Sequence, residues 1–214
     1  MDACWGGAFM ENVVNATQPH HASTTSGGHA GHAAAGGHDP HEPAFLALDP
    51  DEPLYPCTVV AARHRASCYL MQTSAILFRN GGDFHAAGAQ CERIEGRLAN
   101  ACFVSLGRDA AAYAGSDDVA AVRLCMAAGP RALPWCVVGT VKNRVDVAAA
   151  PAPGLAYCTA VPEGPVRTGC YRAIGEQLTL LRGSPAERAS ECAAVAEAYR
   201  SACRLGAFLP ENES

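Results

Sequence analysis

Lysine, aromatic side chains and charge are all scarce in this chain. Lys142 is the single lysine among 214 residues, aromatic residues make up 7% of the chain and charged residues 17%. The formal net charge is −5, so the basic surface of a general nucleic-acid binder is not indicated. No run of about 18 apolar residues occurs that could form a membrane span. We therefore expect neither a nucleic-acid partner nor a membrane-spanning segment.

The local motifs of familiar catalytic sites are also missing. The chain contains no G-x-S-x-G, no H-E-x-x-H, no Gly-rich phosphate loop after a strand and no C-x-x-C-H haem site. Each of these motifs fixes a nucleophile, a metal or a phosphate in a defined local geometry. The pattern favours a protein that is not an enzyme.

Cysteine, in contrast, is abundant and regularly spaced. Ten of the eleven cysteines form a ladder: the first members of the pairs recur at intervals of 34, 34, 33 and 34 residues, and the second members at 34, 34, 34 and 33. The predicted disulfides are Cys57–Cys68, Cys91–Cys102, Cys125–Cys136, Cys158–Cys170 and Cys192–Cys203. This period predicts an all-α fold, an α-solenoid of about five disulfide-linked helical hairpins.

Cap and breaker residues place two helices in each unit. In the second unit, Asp83 can cap a first helix that ends near Ile94, and a second helix runs from about Asn100 to Tyr113. The fifth unit starts with a capping box over residues 184–187, with proline at its first helical position. A tight turn between antiparallel helices brings the late cysteine of one helix beside the early cysteine of the next.

Similar residues recur at three further positions, each at a roughly constant distance from the second cysteine of the unit. Two residues before it, polar side chains are expected to cap the second helices: Asp2, Asn100, Thr168 and Ser201. Directly after it stand Trp5, Tyr69, Phe103, Val137, Tyr171 and Arg204. Three to five positions after it stand Gly7, Thr73, Gly107, Gly139, Gly175 and Gly206. We interpret the last two sets as packing between repeats, and a ligand groove built by the aromatic residues is the alternative.

Disulfide bonding suits this spacing, because a disulfide requires Cα atoms roughly 4.4–6.8 Å apart. Closing each short loop is expected to contribute roughly 3 kcal/mol. Two alternatives stay open: reduced cysteines packed in the core, and thiolate metal binding, although no C-x-x-C occurs and two thiols per unit leave a tetrahedral metal short of ligands. Regular disulfides indicate an oxidising compartment, periplasmic or extracellular.

The start of the chain lacks the charged region and apolar stretch of a signal peptide, so we expect a C-terminal piece of a longer exported protein. Cys4 matches a second-helix cysteine, but its partner about 11 residues upstream is missing, so it is expected to be unpaired or bonded outside the chain. The predicted divisions are 1–16, the second helix of an incomplete repeat; 17–50, a flexible insert; 51–206, five paired repeats; and 207–214, a tail.

The insert is rich in histidine, glycine and alanine. Such a composition buries too little apolar surface to order itself. Six of the eight histidines lie in it, and they are the candidate metal ligands: His20, His21, His29, His32, His38 and His41. Imidazole suits Cu, Ni or Zn. The spacing matches no specific metal site, so a plain linker and a metal-capturing segment both remain open.

One arginine per repeat falls in or near the hairpin turn. Stacked repeats would align these residues along one edge as an anion-binding stripe, with solvated surface as the alternative. The five residues are Arg65, Arg97, Arg131, Arg167 and Arg200.

The 34-residue period and the helix-turn-helix unit resemble tetratricopeptide repeats. One disulfide per hairpin is similar to the cysteine-rich, secreted Sel1-like repeat proteins, and residues 68–74 resemble part of a bacterial secreted family. The resemblance covers about residues 51–206 and implies an α-solenoid whose concave face binds a partner.

Three functional hypotheses follow. The first is an extracytoplasmic scaffold that binds a protein or peptide. The second is a metal-handling protein whose insert captures Cu, Ni or Zn. The third, an accessory subunit of an enzyme, differs from the first only in its partner. The array could also continue through a neighbouring chain or an upstream segment.

Overall fold

The structure is a computed structural model that describes residues 2–17 and 48–210. Within these residues the chain forms ten α-helices and no strand. The helices are α1 (Asp2–Thr17), α2 (Ala62–Asn80), α3 (Phe84–Glu92), α4 (Leu98–Ala114), α5 (Asp118–Ala127), α6 (Leu133–Ala148), α7 (Ala152–Ala160), α8 (Pro165–Leu181), α9 (Pro185–Ala193) and α10 (Glu197–Gly206).

The helices lie in two rows. Helices α1, α2, α4, α6, α8 and α10 pack side by side in this order, and we call them the main row. The second row consists of the short helices α3, α5 and α7, which contact one another in sequence, and α9, which packs on α8 and α10. The fold is therefore an α-solenoid in which each short helix is followed by a main-row helix.

Each of the five cysteine-paired units is closed by a disulfide. The bonds join the five predicted pairs, with S–S distances of 1.92–2.05 Å and Cα–Cα distances of 5.5–5.7 Å. In the second unit, Cys91 lies near the end of α3 and Cys102 in the second turn of α4. All ten sulfur-bonded residues are buried. The disulfides are thus part of the core, and four of them link a short helix to a main-row helix from inside.

The first unit departs from the predicted pair of helices. Residues 53–59 form consecutive turns, and Cys57 lies within them instead of on a helix. Pro53 and Pro56 have no amide hydrogen to give to a helix, which favours turns here. The side-chain amide of Gln72 on α2 donates a hydrogen bond of 2.8 Å to the Pro53 carbonyl and holds the segment against the main row.

The predicted starts of the short helices are confirmed. The Asp83 carboxylate accepts a hydrogen bond of 3.0 Å from the Ala86 amide. Ser184 and Glu187 form the reciprocal capping box at the start of α9. These caps satisfy amide groups that the helix itself leaves unpaired.

The predicted caps of the main-row helices are wrong for the three described cases. Asn100, Thr168 and Ser201 lie inside helices that begin earlier, at Leu98, Pro165 and Glu197. No side chain caps the start of any of these three helices. The Thr168 hydroxyl instead donates to the Gly164 carbonyl at 3.2 Å, a bond within the first turn.

Glycine allows two pairs of main-row helices to touch through their backbones. A Cβ on Gly107 of α4 would lie 1.9 Å from the Cys136 carbonyl oxygen, and one on Gly139 of α6 would lie 2.0 Å from the Val104 carbonyl oxygen. Gly175 of α8 and Gly206 of α10 form an equivalent pair. The predicted packing role of these four glycines is confirmed. We call the α4/α6 and α8/α10 contacts the closed seams.

Candidate ligand-binding face

The seam between α6 and α8 has no such glycine pair, and α6 packs less extensively on α8 than on α4. A groove of about 380 Å³ opens along this seam. Residues of α4, α6 and α8 line it, including residues from the first turns of α6 and α8. Val104, Val138, Val166 and Ala173 give it apolar side chains, and Trp135 is the aromatic residue of its lining. We call this feature the Trp135 groove.

Trp135 is placed at the start of α6 by the Pro134 that precedes it within the first turn. Trp135 is 39% exposed, so part of its ring surface is open to a ligand. The same repeat position on α8 is Gly169, where an added Cβ would meet no atom within 4 Å. The groove therefore pairs a large aromatic wall with open space on the facing helix.

Charged side chains cross the open seam beside the apolar surface. Lys142 Nζ lies 2.7 Å from Glu176 Oε2, and Arg172 Nε lies 3.8 Å from Glu176 Oε1, so two cations share one carboxylate. Gln177 donates a hydrogen bond to Asp146. Burial raises the pKa of Asp146, and the Gln177 hydrogen bond and the charge of Lys142 oppose that rise. The groove thus offers both apolar contact and polar anchors.

A smaller recess of about 210 Å³ continues the same face across α2, α4 and α6. Arg108 at its edge donates to the Leu70 carbonyl at 2.7 Å and to the Ser74 hydroxyl at 2.9 Å. Asp109 is 7% exposed and accepts from the Thr73 hydroxyl at 2.6 Å and from Ser74 at 2.7 Å. These groups satisfy one another, so we assign the network to packing of α2 against α4.

One titratable group with a large pKa shift lies on α7, in the second row. Burial raises the pKa of Tyr157 to about 12, against an opposing interaction with Thr140. The residue is fully buried, so a ligand on the Trp135 groove cannot reach its hydroxyl. We assign Tyr157 to the core and not to chemistry.

The predicted histidine ligands His20, His21, His29, His32, His38 and His41 lie outside the described residues. Across 2–17 and 48–210, no group of three or more His, Cys, Asp or Glu side chains is placed to hold a metal ion. Cys4 falls within α1, and its side chain is likewise outside what the structure describes. Metal capture by the insert and the pairing of Cys4 stay predictions.

The five turn arginines do not share one role. In three units the guanidinium Nε donates to a carbonyl within the turn, at 3.1 Å for Arg65, 2.6 Å for Arg167 and 2.9 Å for Arg200. Arg131 instead lies over the Phe103 ring, 5.8 Å from its centroid. Arg97 is exposed. The first three guanidinium groups stabilise their own turns, and this role alone accounts for an arginine at that position. The anion-binding stripe stays a prediction.

The aromatic positions after the second cysteine pack inside the array. Tyr69, Phe103 and Tyr171 are at most 4% exposed, and Tyr171 stacks on Tyr199 with ring centroids 4.6 Å apart. The packing interpretation is therefore confirmed for these three residues. The sequence does carry a signal for the Trp135 groove. The repeat position that Trp135 occupies holds a small residue in the other four units: Ser67, Ala101, Gly169 and Ala202.

No helix in the described part of the chain is long and apolar enough to cross a membrane. A comparison with protein-family models finds no match, and comparisons with curated proteins and with solved structures find none either.

Proposed function

We propose that the chain is an extracytoplasmic helical-repeat scaffold that binds a segment of a partner protein, or a peptide, in the Trp135 groove. The single observation that carries the proposal is the half-exposed Trp135 beside an apolar lining and the empty position of Gly169. Tryptophan is enriched among residues that dominate binding energy at protein interfaces. A rigid backbone around the groove lowers the entropic cost of binding.

Disulfides support the proposed compartment. Five buried disulfides in 214 residues are expected to persist in the periplasm or outside the cell, where thiols are not kept reduced. They also fix the start of each main-row helix against the segment before it, so the first turns of α6 and α8 that line the groove are held within their own hairpins. A binding surface preformed in this way is typical of repeat proteins.

The test is selection of random peptides on the oxidised chain, followed by affinity measurement of the selected peptides by fluorescence anisotropy. Trp135→Ala removes the aromatic wall, and Gly169→Leu fills the open space without meeting another atom at its Cβ. Each is expected to weaken binding by about tenfold or more, which corresponds to about 1.4 kcal/mol. Val147→Ala on the same helix, where the side chain is 81% exposed and remote from the groove, is the matched control and should leave affinity unchanged.

A second readout comes from the tryptophans themselves. The chain contains two tryptophans, so a Trp5→Phe background leaves Trp135 as the only indole. Its emission should shift to shorter wavelength when a selected peptide covers it. Failure to enrich any peptide, or enrichment of peptides whose affinity ignores both groove substitutions, would contradict the proposal.

A further inference from the structure

Two further openings adjoin the Trp135 groove on the same face of the main row. The recess across α2, α4 and α6 shares Val104 and Lys142 with the groove. A recess of about 420 Å³ on α8 and α10 shares Gly169 and Arg172 with it. The three openings therefore form one continuous surface across five main-row helices, and Arg172 lies where the groove meets the recess on α8 and α10.

Arg172 departs from a pattern that the other main-row helices follow. Two residues after the second cysteine, the other four cysteine-paired units carry an apolar side chain on this surface: Leu70, Val104, Val138 and Leu205. The unit of α8 has a charged residue there instead. Since leucine or valine fills this position in four units, packing between repeats does not explain the guanidinium group.

The Arg172 guanidinium group makes no hydrogen bond with any residue that the structure describes. Its Nε lies 3.8 Å from Glu176 Oε1, which is beyond hydrogen-bonding distance. The other oxygen of Glu176 lies 2.7 Å from Lys142 Nζ. In contrast, the Arg108 guanidinium group on the same surface donates to the Leu70 carbonyl at 2.7 Å. The Arg172 side chain is 57% exposed, so its N–H donors are accessible to a ligand.

Space for an acceptor lies beside this guanidinium group. Gly169 stands three residues before Arg172 on α8, and an added Cβ there would meet no atom within 4 Å. Side chains on a helix lean towards its N-terminus, so the Arg172 side chain is directed towards the space that Gly169 leaves. Trp135 lines the same groove. A guanidinium group presents planar N–H donors that match a carboxylate, and the indole ring offers apolar contact beside it.

We propose that the Trp135 groove selects segments of a partner protein in which an acidic side chain lies next to a large apolar one, and that Arg172 binds the acidic side chain. The apolar side chain packs on Trp135, and the carboxylate accepts hydrogen bonds from the guanidinium group. Lys142 holds Glu176, so that carboxylate does not occupy the donors of Arg172. This inference rests on the proposed function, because it names the chemistry of the segment that the groove binds.

The experiment uses peptides selected on the oxidised chain and synthesised with acetylated N-termini and amidated C-termini, so that side chains carry the only carboxylates. Each peptide is compared with a neutral version in which glutamine replaces glutamate or asparagine replaces aspartate. Fluorescence anisotropy should show about tenfold weaker binding of the neutral version to wild type. Arg172→Leu should weaken binding of the acidic version about tenfold and abolish the difference between the two versions. The fold accommodates this change, since leucine occupies the same repeat position on α2 and α10.

Three further variants separate the guanidinium group from a general effect of charge. Arg172→Lys keeps the charge but loses the planar donors, so it should retain only part of the preference for the acidic peptide. Glu176→Gln removes a competing carboxylate and should strengthen binding of the acidic peptide about threefold. Arg123→Leu is the matched control, because it removes the same charge from an exposed position on α5, in the second row. It should change neither the affinity nor the preference.

Failure of this inference and failure of the proposed function give different results. Peptides that depend on Trp135 but bind equally well in acidic and neutral versions would refute the role of Arg172 and leave the proposed function standing. The same conclusion follows if Arg172→Leu keeps the preference for the acidic peptide, or if Arg123→Leu removes it equally. If no selected peptide depends on Trp135, the proposed function is refuted and this inference with it.

Discussion

The two faces of α6 meet their neighbours in opposite ways. Towards α4, Gly107 and Gly139 bring the two backbones into contact, and no room is left for a methyl group on either. Towards α8, the Lys142–Glu176 ion pair and the Gln177–Asp146 hydrogen bond cross the seam, and a groove of about 380 Å³ stays open beside them. The comparison shows that a repeat array can fix its shape at one seam and keep a surface for binding at the next.

The largest expected effect is a methyl group placed in a closed seam. Gly107→Ala puts a Cβ 1.9 Å from a backbone carbonyl oxygen, so α4 and α6 must separate. We expect a loss of about 3 kcal/mol in the free energy of unfolding, at the upper end of overpacking effects. Chemical denaturation of the oxidised protein measures it.

Gly169→Ala supplies the matched control at the open seam. The same change on α8 meets no atom within 4 Å, so only the helix propensity of alanine acts. Stability should rise by up to about 1 kcal/mol. Equal losses at Gly107 and Gly169 would show that the seams do not differ.

A smaller loss is expected at the third kind of seam, where polar side chains join α2 to α4. Asp109→Ala removes the acceptor of the Thr73 and Ser74 hydroxyls and leaves half-buried Arg108 without its carboxylate. We expect about 2 kcal/mol of destabilisation, because buried donors lose their partner. Asp146→Ala, at the open seam, should cost less, about 1 kcal/mol, because it removes the acceptor of a single buried donor, the Gln177 amide. A thermal melt that ranks the two variants the other way would contradict this assignment.

Alkaline pH should weaken the core behind the closed seam. Because burial raises the pKa of Tyr157 to about 12, the unfolded chain releases this proton near pH 10 while the folded chain retains it. The contribution of Tyr157 to the free energy of unfolding is therefore fully present below pH 10. It falls as the pH rises from 10 to 12, with a loss of about 1.4 kcal/mol at pH 11. Denaturation at stepped pH measures the slope. Tyr157→Phe should reduce it, and an unchanged slope in that variant would assign the effect to another group.

The smallest effect is expected from the ion pair across the open seam. The Lys142 and Glu176 side chains are each about one-third exposed, with relative exposures of 33% and 36%. A double-mutant cycle of Lys142→Met and Glu176→Gln should give a coupling of about 0.5 kcal/mol that shrinks with added salt. A coupling of several kcal/mol, insensitive to salt, would mean that this seam is held as firmly as the closed ones.

The repeat architecture could be predicted because the two cysteines of each pair lie close in the sequence, on either side of one turn. Cys91 and Cys102 are separated by one turn, so their pairing needs no knowledge of the rest of the fold. The short-helix caps at Asp83 and Ser184 were predictable for the same reason. The main-row starts were not, since these helices begin without a side-chain cap. Asn100 is the third residue of α4, and the equivalent Ser201 is the fifth residue of α10.

The candidate site was harder to predict because it depends on contacts between repeats. The direction in which Gly107 or Gly169 points is set by the neighbouring helix, and the sequence presents both residues simply as glycine. Trp135 differs from its repeat counterparts, but its exposure follows from the width of the α6/α8 seam. The turn arginines are the opposite case. They recur regularly in the sequence, but several of them form a hydrogen bond within their own turn, as Arg65 does, and not a shared surface.

The disulfides also determine how the chain would respond to a pulling force. Each bond encloses 11 or 12 residues of a repeat of about 34, so roughly a third of every unit is withheld from extension while the bond is intact. At roughly 3.4 Å per extended residue, each bond retains about 37 Å of contour length. Under tension, the helices would separate at the seams between hairpins while each hairpin turn stayed locked, and the array would behave as a tether of limited stretch.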